Sequence, residues 1–437
     1  MNPILLRPTD VLFFRDGRPM TGSLSGHGAA WPLPNVINHA FHAALHRAGL
    51  EGVHAHRRGR SGVYDEVRDR KFGSLTTSGP FPVKTAAAGS VWFFPRPLDS
   101  GDDGTLVAPM KGECRDSNLP VPLKHAVASC VPPSKDEPAR WWSEAAWNAY
   151  LGSPPRVPEK QAAPRCNDRD FADTEHTYGI GIDSSTGTVE EGMFYSASYL
   201  RLHEDWHLGV LASAPDKDYR DSEGGNDLIG SLLEVPAGHI LVGGQQRICT
   251  AARDTSVSGR LPLPLGMTTG FPESDGSVLV KWSLLSPAVF PQINHHQGGW
   301  LPSWVDASSG SVLLLDGPGA NRVKRRGGAA PGRAIPARLV AAVTGKPLPI
   351  SGWALPNGSD RDQGGAKPVR LAVPAGSVYF FACESPAAAE TLAAALNWHG
   401  ATPGTEIRNR RSTLMGEKGF GLGVCSSWAW HPASARH

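Results

Sequence analysis

The sequence predicts an α+β protein of two tandem units, and three observations carry that reading. The chain has 437 residues, more than a single hydrophobic core usually serves, so two units sharing an interface are expected. Hydrophobic residues make up 40% and charged residues 19%, a balance that permits a large core and excludes wholesale disorder or a coiled coil. Glycine (50) and proline (38) supply about a fifth of the chain without a collagen period, so helices should be few and connections long.

Taken in order, residues 4–14 are apolar and β-favouring, and Arg15-Asp16-Gly17-Arg18-Pro19 is turn chemistry: a strand that runs into a polar loop. Pro32 and Pro34 precede residues 35–48, where Ile37, Phe41, Ala44, Leu45 and Ala48 recur at helical spacing until Gly49 ends the run. Residues 72–83 and 90–95 read as short strands. Residues 99–173 are a patchwork of proline, glycine and charge around one Trp-rich helical segment, 138–151, and read as an insertion whose tryptophans suit partner docking. Alternating strands at 193–201 and 206–212 flank a polar turn, residues 226–233 form a short helix, and 239–251 return to strand. The order β-α-β-β-α-β is the ferredoxin-like, or RRM-like, split pattern. The second half repeats it loosely, with strands at 278–285, 339–348 and 376–383, a helix at 386–398 and a final strand after Gly423. The expected organisation is two ferredoxin-like domains in tandem with long loop insertions. One covers residues 1–255, interrupted at about 100–173, and the other 256–437, with a glycine-rich loop at 416–423.

A net charge of +2 does not announce a nucleic-acid partner, so any RNA site must be local. Six dispersed cysteines without a C-x-x-C pair read as ordinary buried thiols in a reducing cytoplasm. The opening residues lack the basic and long apolar regions of a signal peptide, and no stretch approaches a membrane span; the expected location is cytoplasmic.

The loudest motif is His203-Glu204-Asp205-Trp206-His207, which matches the H-E-x-x-H of zinc peptidases. That chemistry needs a helix, where positions four apart share a face. Here Tyr195, Ala197, Tyr199 and Arg201 alternate into a turn and Trp206, Leu208 and Val210 alternate out of it, so the match is read as accidental. His39, His42 and His46 fall on one face of the first helix, a polar face that could also ligate a metal or touch phosphate. Gly416-Glu417-Lys418-Gly419-Phe420-Gly421-Leu422-Gly423 is neither a P-loop nor a dinucleotide fingerprint, since no Lys-Ser/Thr follows and the glycines lead into a strand. It suits close backbone approach to an RNA strand, with Lys418 adding charge and Phe420 a stacking face; the alternative is a tight turn. Gly243-Gly244-Gln245-Gln246-Arg247 interrupts a strand, as a bulge or as a way of bringing Arg247 to a phosphate. Basic residues concentrate in 54–70 and at Arg322, Lys324, Arg325, Arg326, Arg333 and Arg338, either as phosphate contacts or as solvated loops. No nucleophile elbow, zinc ribbon, Walker pair or acidic Mg²⁺ cluster is present, so no catalytic residue, metal or cofactor is assigned.

Several segments together resemble one family. Pro8-x-Asp10-Val-Leu-Phe-Phe-Arg15-Asp16-Gly17-Arg18-Pro19 is similar to the opening of the third subunit of the Cmr complex, a type III-B CRISPR effector, within the RAMP superfamily. The likeness continues through Phe72-Gly73-Ser74-Leu75, Gly179-Ile180-Gly181-Ile182-Asp183, Val242 to Arg247, Ser286-Pro287-Ala288-Val289-Phe290, Gly299-Trp300-Leu301-Pro302, Ile350-Ser351-Gly352-Trp353 and Val373 to Phe381. Gly419 to Gly423 resembles the superfamily's glycine-rich loop, and residues 428–437 match nothing in the family. The resemblance implies a non-catalytic subunit for antiviral defence. It would hold the 5′ tag of the CRISPR RNA between the large polymerase/cyclase-type subunit and the RAMP subunit of the filament backbone, and meet target RNA only indirectly. On that reading Arg15, Arg18, His27, Arg247, Arg322, Lys324, Arg325, Lys418, Gly419, Phe420 and Gly421 are the expected RNA contacts, beside an open sheet. Two alternatives stand beside it: a metal-independent RAMP endoribonuclease using His27, His42 or Tyr64, and the zinc peptidase of His203 and His207.

Overall fold

The structure is a computed structural model that describes residues 1–15, 24–25, 31–50, 75–102, 106–114, 117–129, 136–152, 163–215, 226–234, 239–256, 261, 266–274, 276–291, 299–317, 320–321, 332–354, 365–402 and 406–432. Strands predominate and helices are few and short, as the glycine and proline content requires.

In the first half, strand β1 (Asn2–Pro8) is followed by helix α1 (Pro34–Arg47), which opens with proline at N1, where its missing N–H costs nothing. Then come β2 (Thr76–Ala86), β3 (Gly89–Pro95), β4 (Trp141–Ser143), helix α2 (Glu144–Leu151) and β5 (Arg165–Cys166). A long hairpin of β6 (Ala172–Ile182) and β7 (Val189–Leu202) leads into β8 (Trp206–Ser213), helix α3 (Leu228–Glu234) and the hairpin of β9 (His239–Leu241) and β10 (Ile248–Arg253). All but β6 and β7 form one antiparallel sheet in the order β9-β10-β1-β8-β2-β3-β4-β5. Within it the run β10-β1-β8-β2, numbered by turn in the chain, is fourth, first, third, second.

The second half contains β11 (Ser277–Leu284), β12 (Ala337–Val343), β13 (Val378–Cys383), helix α4 (Pro386–Leu396) and β14 (Gly423–Ser427). These strands lie in the order β14-β11-β13-β12, all antiparallel, which is the same order of use.

Burial shows what the sheets face. Helices α1 and α3 cover one face of the first sheet through Ile37, Phe41, Leu45, Ile229 and Leu232 against Ile4, Leu6, Leu208 and Val210. Helix α4 covers one face of the second through Leu392 and Leu396 against Val280 and Trp282. A third cluster lies between the halves and unites Phe81, Trp92, Trp142, Trp147 and Tyr150 with Trp398, Leu422 and Val424. Trp428 and Trp430, with Val127 from a short hairpin of the insertion, close part of the second sheet's remaining face against Leu279 and Phe380. The C-terminal tryptophans therefore complete a core, with the Trp428 Nε1–H donating to the Phe381 carbonyl at 3.1 Å.

Three expectations change. The segment 138–151 is a strand followed by a helix that starts at Ser143, whose hydroxyl accepts from Ala146 N–H at 3.5 Å. Its Trp141, Trp142 and Trp147 are buried, so they serve the interior and offer no docking surface. Residues 239–251 are two strands joined by a turn, because Gly243 takes φ +79 and the chain reverses. The sheets are not open platforms: the other half covers most of one and the tail covers part of the other, leaving a strip of Arg7, Ile248, Thr250 and Ala252 exposed on β1 and β10.

The cysteine reading gives a first prediction. Cys166, Cys249, Cys383 and Cys425 are buried, and burial pushes the Cys249 and Cys383 thiols up to about 12 and raises the other two as well. The thiolate is the reactive species. A thiol reagent at mild alkaline pH should therefore modify half-buried Cys114 long before these four, as read by peptide mass spectrometry of the native protein. Equal labelling of Cys249 and Cys114 would contradict the packing described.

Candidate nucleic-acid interface

Three segments distant in sequence meet at one end of the first sheet. The loop after β1 is bridged to β7 by reciprocal backbone bonds of 2.8 Å between Leu12 and Leu200. The turn between β9 and β10 is tied to the same loop where Gly244 N–H donates to the Phe13 carbonyl at 2.9 Å. A Cβ on Gly243 would strike that carbonyl, so the close approach for which the paired glycines are needed is to the protein's own backbone.

This junction brings Phe13, Tyr199 and Arg247 together, the two rings tilted at 46° to one another. The rings of Phe13 and Tyr199 lie 5.5 Å apart, and the Arg247 guanidinium sits over Tyr199 at 5.1 Å. Tyr199 O–H and Arg247 Nη2 both donate to Gln245 Oε1 at 3.1 Å. Asp10 accepts from Arg201 at 3.0 Å and from Arg247 at 3.5 Å, and Arg201 also pairs with Glu175. The Val11 backbone N–H and then Arg201 hold the Asp10 carboxyl below its ordinary value. Arg15 follows, exposed, two residues beyond Phe13. Arg15 and Arg247 are thus placed in one neighbourhood, with aromatic faces that neither motif disclosed. The signal for Tyr199 lay in its alternation on β7, and its neighbours came only from the sheet.

The glycine-rich loop lies elsewhere. Thr77, which the loop touches, pairs with Ala212 opposite Asn2, whereas Cys249, next to the turn of Arg247, pairs with Pro8. The two places are at opposite ends of β1, about 20 Å apart along the strand. In the loop, Gly419 has φ +88 and a Cβ there would come within 2.7 Å of the Thr77 carbonyl, while a Cβ on Gly421 would collide with Ser412. Asn38 of α1 donates to Thr77 Oγ1 at 3.2 Å, and Arg410 donates to Thr76 Oγ1 at 2.9 Å, so this loop is the seam between the halves. Phe420 is wholly buried with Val289, Ile350 and Ala372 and presents no face to a base, which corrects its expected stacking role. Lys418 stays half-buried at the rim. The basic run Arg408-Asn409-Arg410-Arg411 beside it was missed, although its density of arginine just before the glycines is visible in the sequence.

Arg18, His27, Arg322, Lys324 and Arg325 lie outside the described residues, as do Tyr64 and the basic stretch 54–70. His42 and His46 face each other on α1 with ring centres 4.7 Å apart. The H-E-x-x-H segment is the turn between β7 and β8: His203 Nε2 meets Asp173 at 3.1 Å, and His207 lies on β8 with Nδ1 3.3 Å from the Asp205 carbonyl. Burial, with Arg7 adding to it, holds the His207 imidazole below its ordinary value. Among the described residues no group of three His, Cys, Asp or Glu side chains is placed to hold a metal, and no helix is long and apolar enough to cross a membrane.

A family model of CRISPR-associated protein Cas_Cmr3 matches residues 4–428. The chain belongs to the Cas_Cmr3 family. The N-terminal segment that resembled the Cmr third subunit and the loop that resembled the superfamily's glycine-rich loop both fall within that match. Similar solved structures include two of a type III-B Cmr-β complex bound to cognate target RNA, one also with AMPPnP. They show 16% and 15% identity, each covering 86% of both chains at TM-score 0.39. A Csm3–Csm4 subcomplex of a type III-A interference complex shows 11% identity over 87% of this chain and 92% of that one, at TM-score 0.36. No curated protein matches.

Proposed function

We propose that this Cas_Cmr3 member is a non-catalytic, guide-RNA-binding subunit of a type III-B effector. It holds the 5′ tag of the CRISPR RNA and docks the large polymerase/cyclase-type subunit and the backbone RAMP subunit. The observation that carries the RNA role is the junction where Arg247, Phe13 and Tyr199 converge, with Arg15 two residues along the chain, because positive charge beside aromatic faces is what an unpaired strand needs. The fourth-first-third-second strand order in both sheets supports reading each half as ferredoxin-like, with the halves dividing near residue 255. Lys418 and the neighbouring arginines at the seam are a second stretch of the same path.

Binding of tagged guide RNA across a salt series, by the chain alone and with the large subunit, tests the reading. Arg247→Ala should weaken binding several-fold for every sequence and reduce the salt slope by about 1, the signature of one phosphate contact. Lys418→Ala should do the same if the tag runs along the seam. Absence of RNA binding in both settings would defeat the proposal.

A further inference from the structure

The turn at 243–247 is built against its own conformational preference. Val242 N–H donates to the Arg247 carbonyl at 2.9 Å to close it, and Gln245 and Gln246 follow one another with φ 57 and 53. Two successive left-handed residues are the geometry of a turn that favours Asn-Gly, and unbranched long side chains there store strain. Glycine would relieve it at either position. Gln245 has an internal use, accepting from Tyr199 and Arg247 and so fixing their mutual position. Gln246 has no such use: it is exposed, and its carboxamide has no hydrogen-bond partner among the described residues. A strained residue with no role inside the fold, beside a guanidinium held over the Tyr199 ring, marks a side chain kept for a ligand.

We infer that Gln246 reads the edge of one unpaired base of the bound RNA, adenine being the match for a carboxamide, and this rests on the RNA-binding reading above. The base stacks against the Tyr199 and Arg247 group while the amide donates to a ring nitrogen and accepts from the neighbouring amino group. Arg247 then supplies affinity without sequence preference, and Gln246 supplies preference.

The test uses the full-length chain and a set of single-stranded tagged RNAs, identical except that one position at a time is A, C, G or U. Wild type should favour adenine at one position by about tenfold. Gln246→Gly should bind the other three RNAs as wild type does, lose the adenine preference, and melt no lower, since glycine suits the left-handed backbone. Arg247→Ala should weaken all four RNAs and keep the preference. Wild type that binds RNA without base preference, or a preference that Gln246→Gly leaves intact, overturns the inference while leaving the RNA role standing. Wild type that binds no RNA overturns the role itself.

Discussion

Asp99→Ala should destabilise the protein by about 3–5 kcal/mol, the largest loss expected from any single polar side chain described, because it strands a buried cation. Lys281 and Asp99 are 2% and 0% exposed and their charged atoms are 2.6 Å apart. Asp99 follows β3 in the first half and Lys281 lies on β11 in the second, so the pair joins the halves. Tyr150 of α2 completes it: its hydroxyl donates to Asp99 at 2.8 Å and meets Ser283 at 3.1 Å, while the ammonium lies 4.1 Å from its ring centre. Burial pushes the Lys281 ammonium down from its ordinary value and Asp99 opposes that shift. Without Asp99 the lysine must lose its proton or drag in water, and either costs free energy. Denaturant titration measures the loss. Lys281→Met added to Asp99→Ala should recover part of it, because two partners in contact do not act additively. A loss below about 1 kcal/mol in the single variant would show that the halves do not seal around this pair.

Phe420→Ala should cost about 3–5 kcal/mol by opening a cavity where five segments meet. The ring is 0% exposed among Val289, Ile350 and Ala372, with Leu33, Leu414 and Met415 around it. Gly421→Ala adds an independent check, since at φ +74 a Cβ would collide with Ser412. If Phe420 instead stacked on RNA, its removal would weaken RNA binding and leave the melting temperature unchanged. Calorimetry with and without RNA separates the two, and an unchanged melting temperature would refute the buried position.

Much of the element order was legible because it is local. The helical spacing of Ile37, Phe41 and Leu45 and the alternation of Trp206, Leu208 and Val210 report which face each segment buries, and the structure places α1 and β8 there. The same alternation exposed the H-E-x-x-H segment as a hairpin. Strand β6 escaped notice because residues 173–178 are exposed on both faces and carry no period-two contrast. Residues 138–151 were misjudged for a related reason: tryptophan has the same apolar surface whether a partner or the chain itself will cover it.

The sequence by itself determined the family, the mixed α/β character with few short helices, and the presence of arginine near Phe13 and after Gly244. These follow from composition, periodicity and ordered motifs, all properties of neighbouring residues. Tertiary structure alone decided that Phe420 and the tryptophans face inward, that the glycines of 416–423 approach Thr77 and Ser412, and that Lys281 meets Asp99. It alone also set Tyr199 and Phe13 beside Arg247. The physical reason is that glycine, aromatic and charged side chains show only what they can tolerate or attract, while the partner that satisfies them is chosen by strand pairing across more than a hundred residues.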